Sequence, residues 1–141
     1  DNILKIYKKT LILNKLISKE IGKDLMFSYK RASNIISNEI KINKIDLVGS
    51  ADPGLFKNEF EKMFYKKIHE LKKDFTNIGR DGDYEGILKT LSSAKKEVNE
   101  FFDNVIVNDQ DELIKKNRLE LLQMLCKTFD NYLNLSKVES L

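Results

Sequence analysis

Apolar residues recur at helical spacing along most of the chain, and the stretches where that spacing fails are rich in turn chemistry. Ile3, Ile6, Tyr7, Leu13 and Ile17 predict a first helix over 3–17. Ser18 offers an N-cap for a second helix over about 19–38, with Leu25, Met26, Tyr29, Ala32, Ser33, Ile36 and Ile40 as its buried stripe. Periodicity then breaks: KINKIDLVGSADP, over 41–53, contains Gly49, Ser50, Asp52 and Pro53 and predicts a long irregular loop. Asp52 can cap a third helix with Pro53 in its first position, where a missing N–H costs nothing. That helix is expected to run to about 77, with Phe56, Phe60, Met63, Phe64, Ile68, Leu71 and Phe75 facing inward as core.

Gly79, Arg80, Asp81, Gly82 and Asp83 form a compact breaker before a fourth stripe of Ile87, Leu91, Ala94, Val98, Phe101, Phe102 and Val105. Val105, Ile106 and Val107 are β-branched in succession, which crowds χ1 and ends the helix. Asn108 and Asp109 bring cap chemistry, and Asp111 and Glu112 put negative charge into a new first turn. The fifth stripe is Ile114, Arg118, Leu121, Leu122, Leu125, Phe129 and Tyr132. So short a link between the last two helices predicts that they pack as antiparallel neighbours. The expected fold is therefore all-α, an antiparallel bundle of about five helices with one long irregular loop, forming a single domain over 1–141.

Composition narrows the classes. The chain has 141 residues, 41% hydrophobic and 33% charged, enough for a real core and ordinary for a globular protein. A net charge of +3 gives little general attraction to nucleic acid, so an RNA-binding surface would have to be a local patch. The lysines at 5, 8, 9, 15 and 19 read first as a solvated face. One cysteine, Cys126, excludes an internal disulfide, reads as a buried thiol and suits a cytoplasmic setting. No apolar run reaches membrane-spanning length, and the first residues read as the start of a helix with no signal peptide expected. The chain begins Asp1-Asn2 without Met, directly in helical pattern, and reads as part of a longer polypeptide.

The stretch FFDNVIVNDQDELIKKNRLELL, over 101–122, resembles the C-terminal DALR-type anticodon-binding domain of the beta subunit of bacterial tetrameric glycyl-tRNA synthetase. That family's pattern is F-F-D-x-V-M-V, a few acidic residues, then R-x-N-R-L-x-L-L. Phe101, Phe102, Asp103, Val105, Val107, Asp111, Glu112, Asn117, Arg118, Leu119, Leu121 and Leu122 match it. Ile106 stands for the usual Met and Lys115 for the usual Arg, and a Lys lacks the bidentate fork. KRASNII, over 30–36, is similar to the family's K-R-V-A-N-I-L, and Asp52-Pro53-Gly54-Leu55-Phe56 to its D-P-A-L-F. Gly82-Asp83-Tyr84 matches its G-D-Y. Glu97 replaces a common Pro, and Ser136 matches a Ser near the end, where Tyr132 and Leu133 are bulkier than usual. The likeness is firm from Gly82 onward and looser before Ser28.

What the resemblance implies is recognition of glycine tRNA through its anticodon. A catalytic alpha subunit would handle glycine, ATP and magnesium and pair with beta in an alpha2-beta2 heterotetramer. Partners would be the tRNA, the remainder of the beta subunit and the alpha subunit, with no membrane and no cofactor in this part. The candidate RNA contacts are Lys30, Arg31, Asn34, Asn117 and Arg118, with Lys115 and Lys116 on phosphates. Arg31 and Asn34, three apart, share a helix face. Structural roles stand beside these: Asn34 satisfying a neighbouring loop, Arg118 pairing with Asp103. Two other readings stay open, the anticodon domain of another DALR synthetase such as the arginyl enzyme, and a helical protein-interaction module.

Catalytic patterns are absent. His69 is the only histidine and has no soft ligand nearby in sequence, which argues against zinc or a Cys-His pair. GSADPG lacks the Lys and following Ser or Thr of a phosphate-binding loop. The carboxylates are scattered over helix exteriors, so no catalytic site is expected here.

Overall fold

Leu25, Tyr29, Ala32 and Ile36 lie within 5% exposure, as do Phe64, Ile68, Leu71 and Phe75, so the three- and four-residue spacing does select the buried face. The structure, a computed structural model, describes residues 20–78 and 84–133. Within them lie four α-helices: α1 (Glu20–Asn43), α2 (Glu59–Ile78), α3 (Tyr84–Asn104) and α4 (Glu112–Leu133), plus one 3-10 turn at Pro53–Leu55. Among the described residues there is no strand, and the protein is all-α. The expected helix over 3–17, the cap at Ser18, the breaker at 79–83 and the tail beyond 133 fall outside the described residues.

Several boundaries differ from the expected ones for identifiable reasons. α1 runs to Asn43, five residues past the predicted end at 38, because no breaker stands before Lys44. Lys44 then adopts the left-handed conformation, φ 57°, and Ile45 N–H donates to Glu39 C=O at 3.4 Å. The irregular stretch therefore begins at Lys44 and, interrupted only by the 3-10 turn, continues to Asn58. Asp52 does act as a cap, accepting from Gly54 N–H at 2.9 Å, but it caps only the 3-10 turn. α2 starts later on a reciprocal capping box that spacing alone makes visible, Asn58 and Glu61 three apart. Asn58 Oδ1 accepts from Glu61 N–H at 3.0 Å, and Glu61 Oε1 accepts from Asn58 N–H at 3.3 Å and from Lys57 N–H at 2.9 Å. α4 is capped by Asp111, whose Oδ1 accepts from Leu113 and Ile114, rather than by Asn108 or Asp109.

The packing corrects the expected topology. α1 and α2 each pack against both α3 and α4, making α1 opposite α2 and α3 opposite α4. The last two helices are thus diagonal, not adjacent. The link over 105–111 permits this: seven extended residues reach about 23 Å, and a diagonal between helices spaced 8–10 Å is roughly 14 Å. Directions are mixed as well. α1 and α4 are antiparallel, with Glu39 meeting Lys115 and Tyr29 meeting Asp130. α2 and α4 are parallel, with Glu61 on Arg118 and Thr76 on Tyr132. α1 and α3 are likewise parallel, with Asp24 on Lys95 and Arg31 on Phe102. Only half of the adjacent pairs fit the antiparallel bundle read from sequence.

A single apolar cluster joins all four helices, with Phe64 stacked on Phe101 at 4.3 Å between ring centroids. Phe101, fully buried, anchors α3; Phe102, its neighbour, is only half-buried. Phe56 and Phe60 also sit at the edge of the core, since the 3-10 turn carries the chain away before α2 begins. Cys126 is buried, as expected. Because α1 and α2, and α3 and α4, are diagonal pairs, both crossovers lie over one end of the bundle, the N-terminal end of α4.

Candidate nucleic-acid interface

That end of α4 carries four polar residues that hold the crossovers in place. Asn117 clamps the loop before the 3-10 turn: its Oδ1 accepts from Asp52 N–H at 2.7 Å while its Nδ2 donates to Asp52 C=O at 3.0 Å. Only a side-chain amide meets both halves of one peptide residue in this way. Glu120, 3% exposed, accepts from the adjacent N–H groups of Val48 and Gly49 at 3.0 and 2.8 Å. Gly49 has φ 81°, the left-handed region that glycine occupies without penalty. Arg118 reaches three places at once: Ile106 C=O at 2.7 Å and Asp109 at 3.3 Å through Nη1, and Glu61 at 3.2 Å through Nη2. Lys115 pairs with Glu39 of α1 at 3.0 Å.

These contacts locate the candidate RNA-binding residues. Lys115, Asn117 and Arg118 are buried, at 8%, 5% and 6% exposure, with their polar groups turned to α1, to α2 and to the fold's own loops. Arg118 joins the α3–α4 junction to the start of α2, and its partner at the junction is Asp109, not Asp103, which stays exposed. Lys116, Lys30, Arg31 and Asn34 are exposed. Hydrogen bonding from Asn43, then Lys115 beside it, holds the Glu39 carboxyl below its ordinary value against the opposing effect of burial.

The exposed set is completed by a groove that joins two segments distant in sequence. It has a volume of about 770 Å³ and lies between α1, through Arg31, Ile35, Asn38 and Glu39, and the end of α3 with its link, from Phe102 to Asn108. KRASNII and FFDNVIV thus form opposite walls of one cleft. Arg31 lies over the Phe102 ring, its guanidinium carbon 4.7 Å from the centroid. Asn34 is three residues from Arg31 and four from Asn38, so it stands beside the groove, with Lys30 and Lys41 exposed on the same side of α1. Ile106, 73% exposed, gives the rim an apolar surface. This combination of aromatic face, planar cation, amides and carboxylates suits an unstacked base. Sequence reasoning assigned Phe102 to the core and Asn108 to a cap, and passed over Asn38. The signal for Phe102 was its pairing with Phe101, since consecutive helical residues point about 100° apart and one of them must leave the core.

The DALR anticodon binding domain family matches residues 25–141. The chain belongs to the DALR anticodon-binding family. Among named relatives, this DALR domain is similar to the glycine–tRNA ligase beta subunit of Rickettsia prowazekii (strain Madrid E), 38% identical over 118 residues. That match covers 84% of this chain and 17% of the relative. The glycine–tRNA ligase beta subunits of Rickettsia canadensis (strain McKiel) and Rickettsia bellii (strain OSU 85-389) are 35% and 37% identical over 129 and 128 residues, covering 92% and 91% of this chain and 18% of each relative. This DALR domain therefore spans less than a fifth of the length of these relatives. No solved structure matches it significantly. Among the described residues, no helix is long and apolar enough to cross a membrane, and no His, Cys, Asp and Glu side chains gather in threes around a metal-sized space.

Proposed function

We propose that this domain recognises the anticodon of glycine tRNA as part of the beta subunit of a tetrameric glycine–tRNA ligase, acting in the cytoplasm. The observation that carries the reading is the single groove walled by KRASNII and FFDNVIV, where the Arg31–Phe102 stack stands beside amides and carboxylates. The glycine–tRNA ligase names of the relatives give the amino acid. In this proposal the chain is one helical domain of a longer beta chain. Lys30, Arg31 and Asn34 meet RNA directly, Lys116 lies against phosphate, and Lys115, Asn117 and Arg118 shape the surface they share. Aminoacylation, with its ATP and magnesium, is assigned to the alpha subunit of an alpha2-beta2 assembly, so no catalytic group is asked of this domain.

Every glycine anticodon ends in two cytosines, so a glycine-specific reader inspects those. The test is a titration of the full-length beta subunit with anticodon-stem hairpins, at two salt concentrations, with each cytosine replaced in turn. Loss of affinity on replacement, on the order of 1–3 kcal/mol by analogy with duplex readout, supports the reading. Equal affinity for all hairpins overturns it. Absence of tRNA binding even within the assembled enzyme leaves the protein-interaction module, to which the exposed Phe27, Ile42 and Leu113 would then belong.

A further inference from the structure

The geometry points to Arg31 as the residue that reads the pairing edge of a cytosine, with Phe102 as the positioning residue that holds its guanidinium; this rests on the anticodon function proposed above. The four pairing edges differ in the order of their donors and acceptors. Uracil presents acceptor, donor, acceptor, and guanine presents acceptor, donor, donor. Adenine offers one donor and one acceptor. Cytosine alone places two acceptors, N3 and O2, side by side. A guanidinium offers two parallel N–H donors in a fixed fork, so its only bidentate match among the four pairing edges is cytosine. A phosphate also accepts such a fork, and the surroundings of Arg31 are what favour a base.

Three observations set those surroundings. The guanidinium lies over the Phe102 ring at 4.7 Å, which restrains a long flexible side chain and leaves its hydrogen-bonding rim free. Among the described residues it has no hydrogen-bonded acceptor and no ion-pair partner, whereas Arg118 has three. It opens into a groove large enough for a nucleobase rather than onto a convex face. The same groove presents Asp103, exposed and unpaired among the described residues, next to Phe102. Cytosine's third edge group is an amine donor, and Asp103 is the carboxylate available to accept from it, since Glu39 is already engaged by Lys115 and Asn43. A donor fork and an acceptor in one cleft are the complement of a cytosine edge.

The experiment uses the full-length beta subunit assembled with its alpha partner, and glycine tRNA transcripts carrying either C or U at the second or third anticodon position. For each, kcat/KM and binding affinity are measured with the unaltered protein, Arg31→Lys, Phe102→Leu and Asp103→Asn. The unaltered protein is expected to prefer C at both positions. Arg31→Lys keeps the charge but not the fork, and is expected to lose the preference at one position by on the order of tenfold to a hundredfold, with its thermal melt unchanged. Phe102→Leu should erode the same preference. A C-over-U preference left intact at both positions by Arg31→Lys overturns the assignment to Arg31 and leaves anticodon reading standing. Equal weakening of all transcripts makes Arg31 a phosphate contact and overturns it too. No preference in the unaltered protein removes the anticodon reading itself.

Discussion

Replacing Arg118 with Ala should unfold the domain's crossovers before it affects any RNA. The charge lies 6% exposed against Glu61, itself at 0%, so truncation strands a carboxylate in the interior. Breaking a buried pair in this way costs about 3–5 kcal/mol. The loss extends to Ile106 C=O, which gives up its 2.7 Å donor. For a domain of this size each kcal/mol moves the melting point by roughly 4 °C, so a fall of about 12–20 °C is expected. The cluster is incompletely satisfied, because Arg118 Nε and Glu61 Oε2 have no hydrogen-bonded partner among the described residues. The ion pair is therefore weak evidence of net stability, and removing both charges should cost less than removing one. Glu61→Gln keeps the Oε1 acceptor for Lys57 and Asn58 while discarding the charge. Combined with Arg118→Met, it should recover at least about 1 kcal/mol relative to the sum of the single changes. Urea unfolding of the four proteins gives the cycle directly. An Arg118→Ala domain that melts normally but fails to bind tRNA would refute a structural Arg118 and return it to the RNA-contacting set.

Phe101→Ala, which empties a site with 0% exposure beneath the Phe64 ring, is expected to cost about 3–5 kcal/mol in urea unfolding. Phe102→Ala removes a half-buried ring and should cost less than about 2 kcal/mol, and equal costs would show the two positions misassigned. Lys44→Gly relieves a left-handed backbone at φ 57° and should stabilise by about 1 kcal/mol, read as a raised urea midpoint. Glu39 has a lowered folded pKa, so its contribution is present above the ordinary carboxylate range and is lost as pH falls through the folded value. The stability difference between the unaltered domain and Lys115→Met should accordingly be full at neutral pH and shrink in acid; a difference that grows in acid would contradict this pairing.

Much of the buried face of α1, α2 and α3 was legible because burial there follows the 3.6-residue period, although Ile40, read as core, is 45% exposed. From Ile87 to Val98, the predicted fourth stripe is the buried stripe. What sequence did not convey is which helices become neighbours. Short-link reasoning assumes that consecutive helices pack, yet seven residues suffice to reach a diagonal partner, and the signal for that arrangement lies in side chains read for another purpose. Asn117, Arg118 and Glu120 are buried polar residues on a helix that is buried at most positions from Ile114 to Phe129, and such residues need partners inside the protein. Nothing in their own spacing names the partners, since Asp52, Glu61 and Gly49 come from a different part of the chain. A polar signature shared with a nucleic-acid-binding family is thus ambiguous until burial is known. The same motif holds both kinds of residue. Asn117 holds the loop at Asp52, and Arg118 bonds Glu61 of α2 and the link at Ile106 and Asp109, whose stretch from Val105 to Asn108 forms one wall of the groove. Phe102, from that motif, and Arg31, from KRASNII, are left at its surface, the exposed cation lying over the half-buried ring. Residues that make the family recognisable therefore divide, with Asn117 and Arg118 holding the fold while Phe102 and Asp103 line the groove. The donors left unused among the described residues, such as those of Arg31, are the first to test for a ligand.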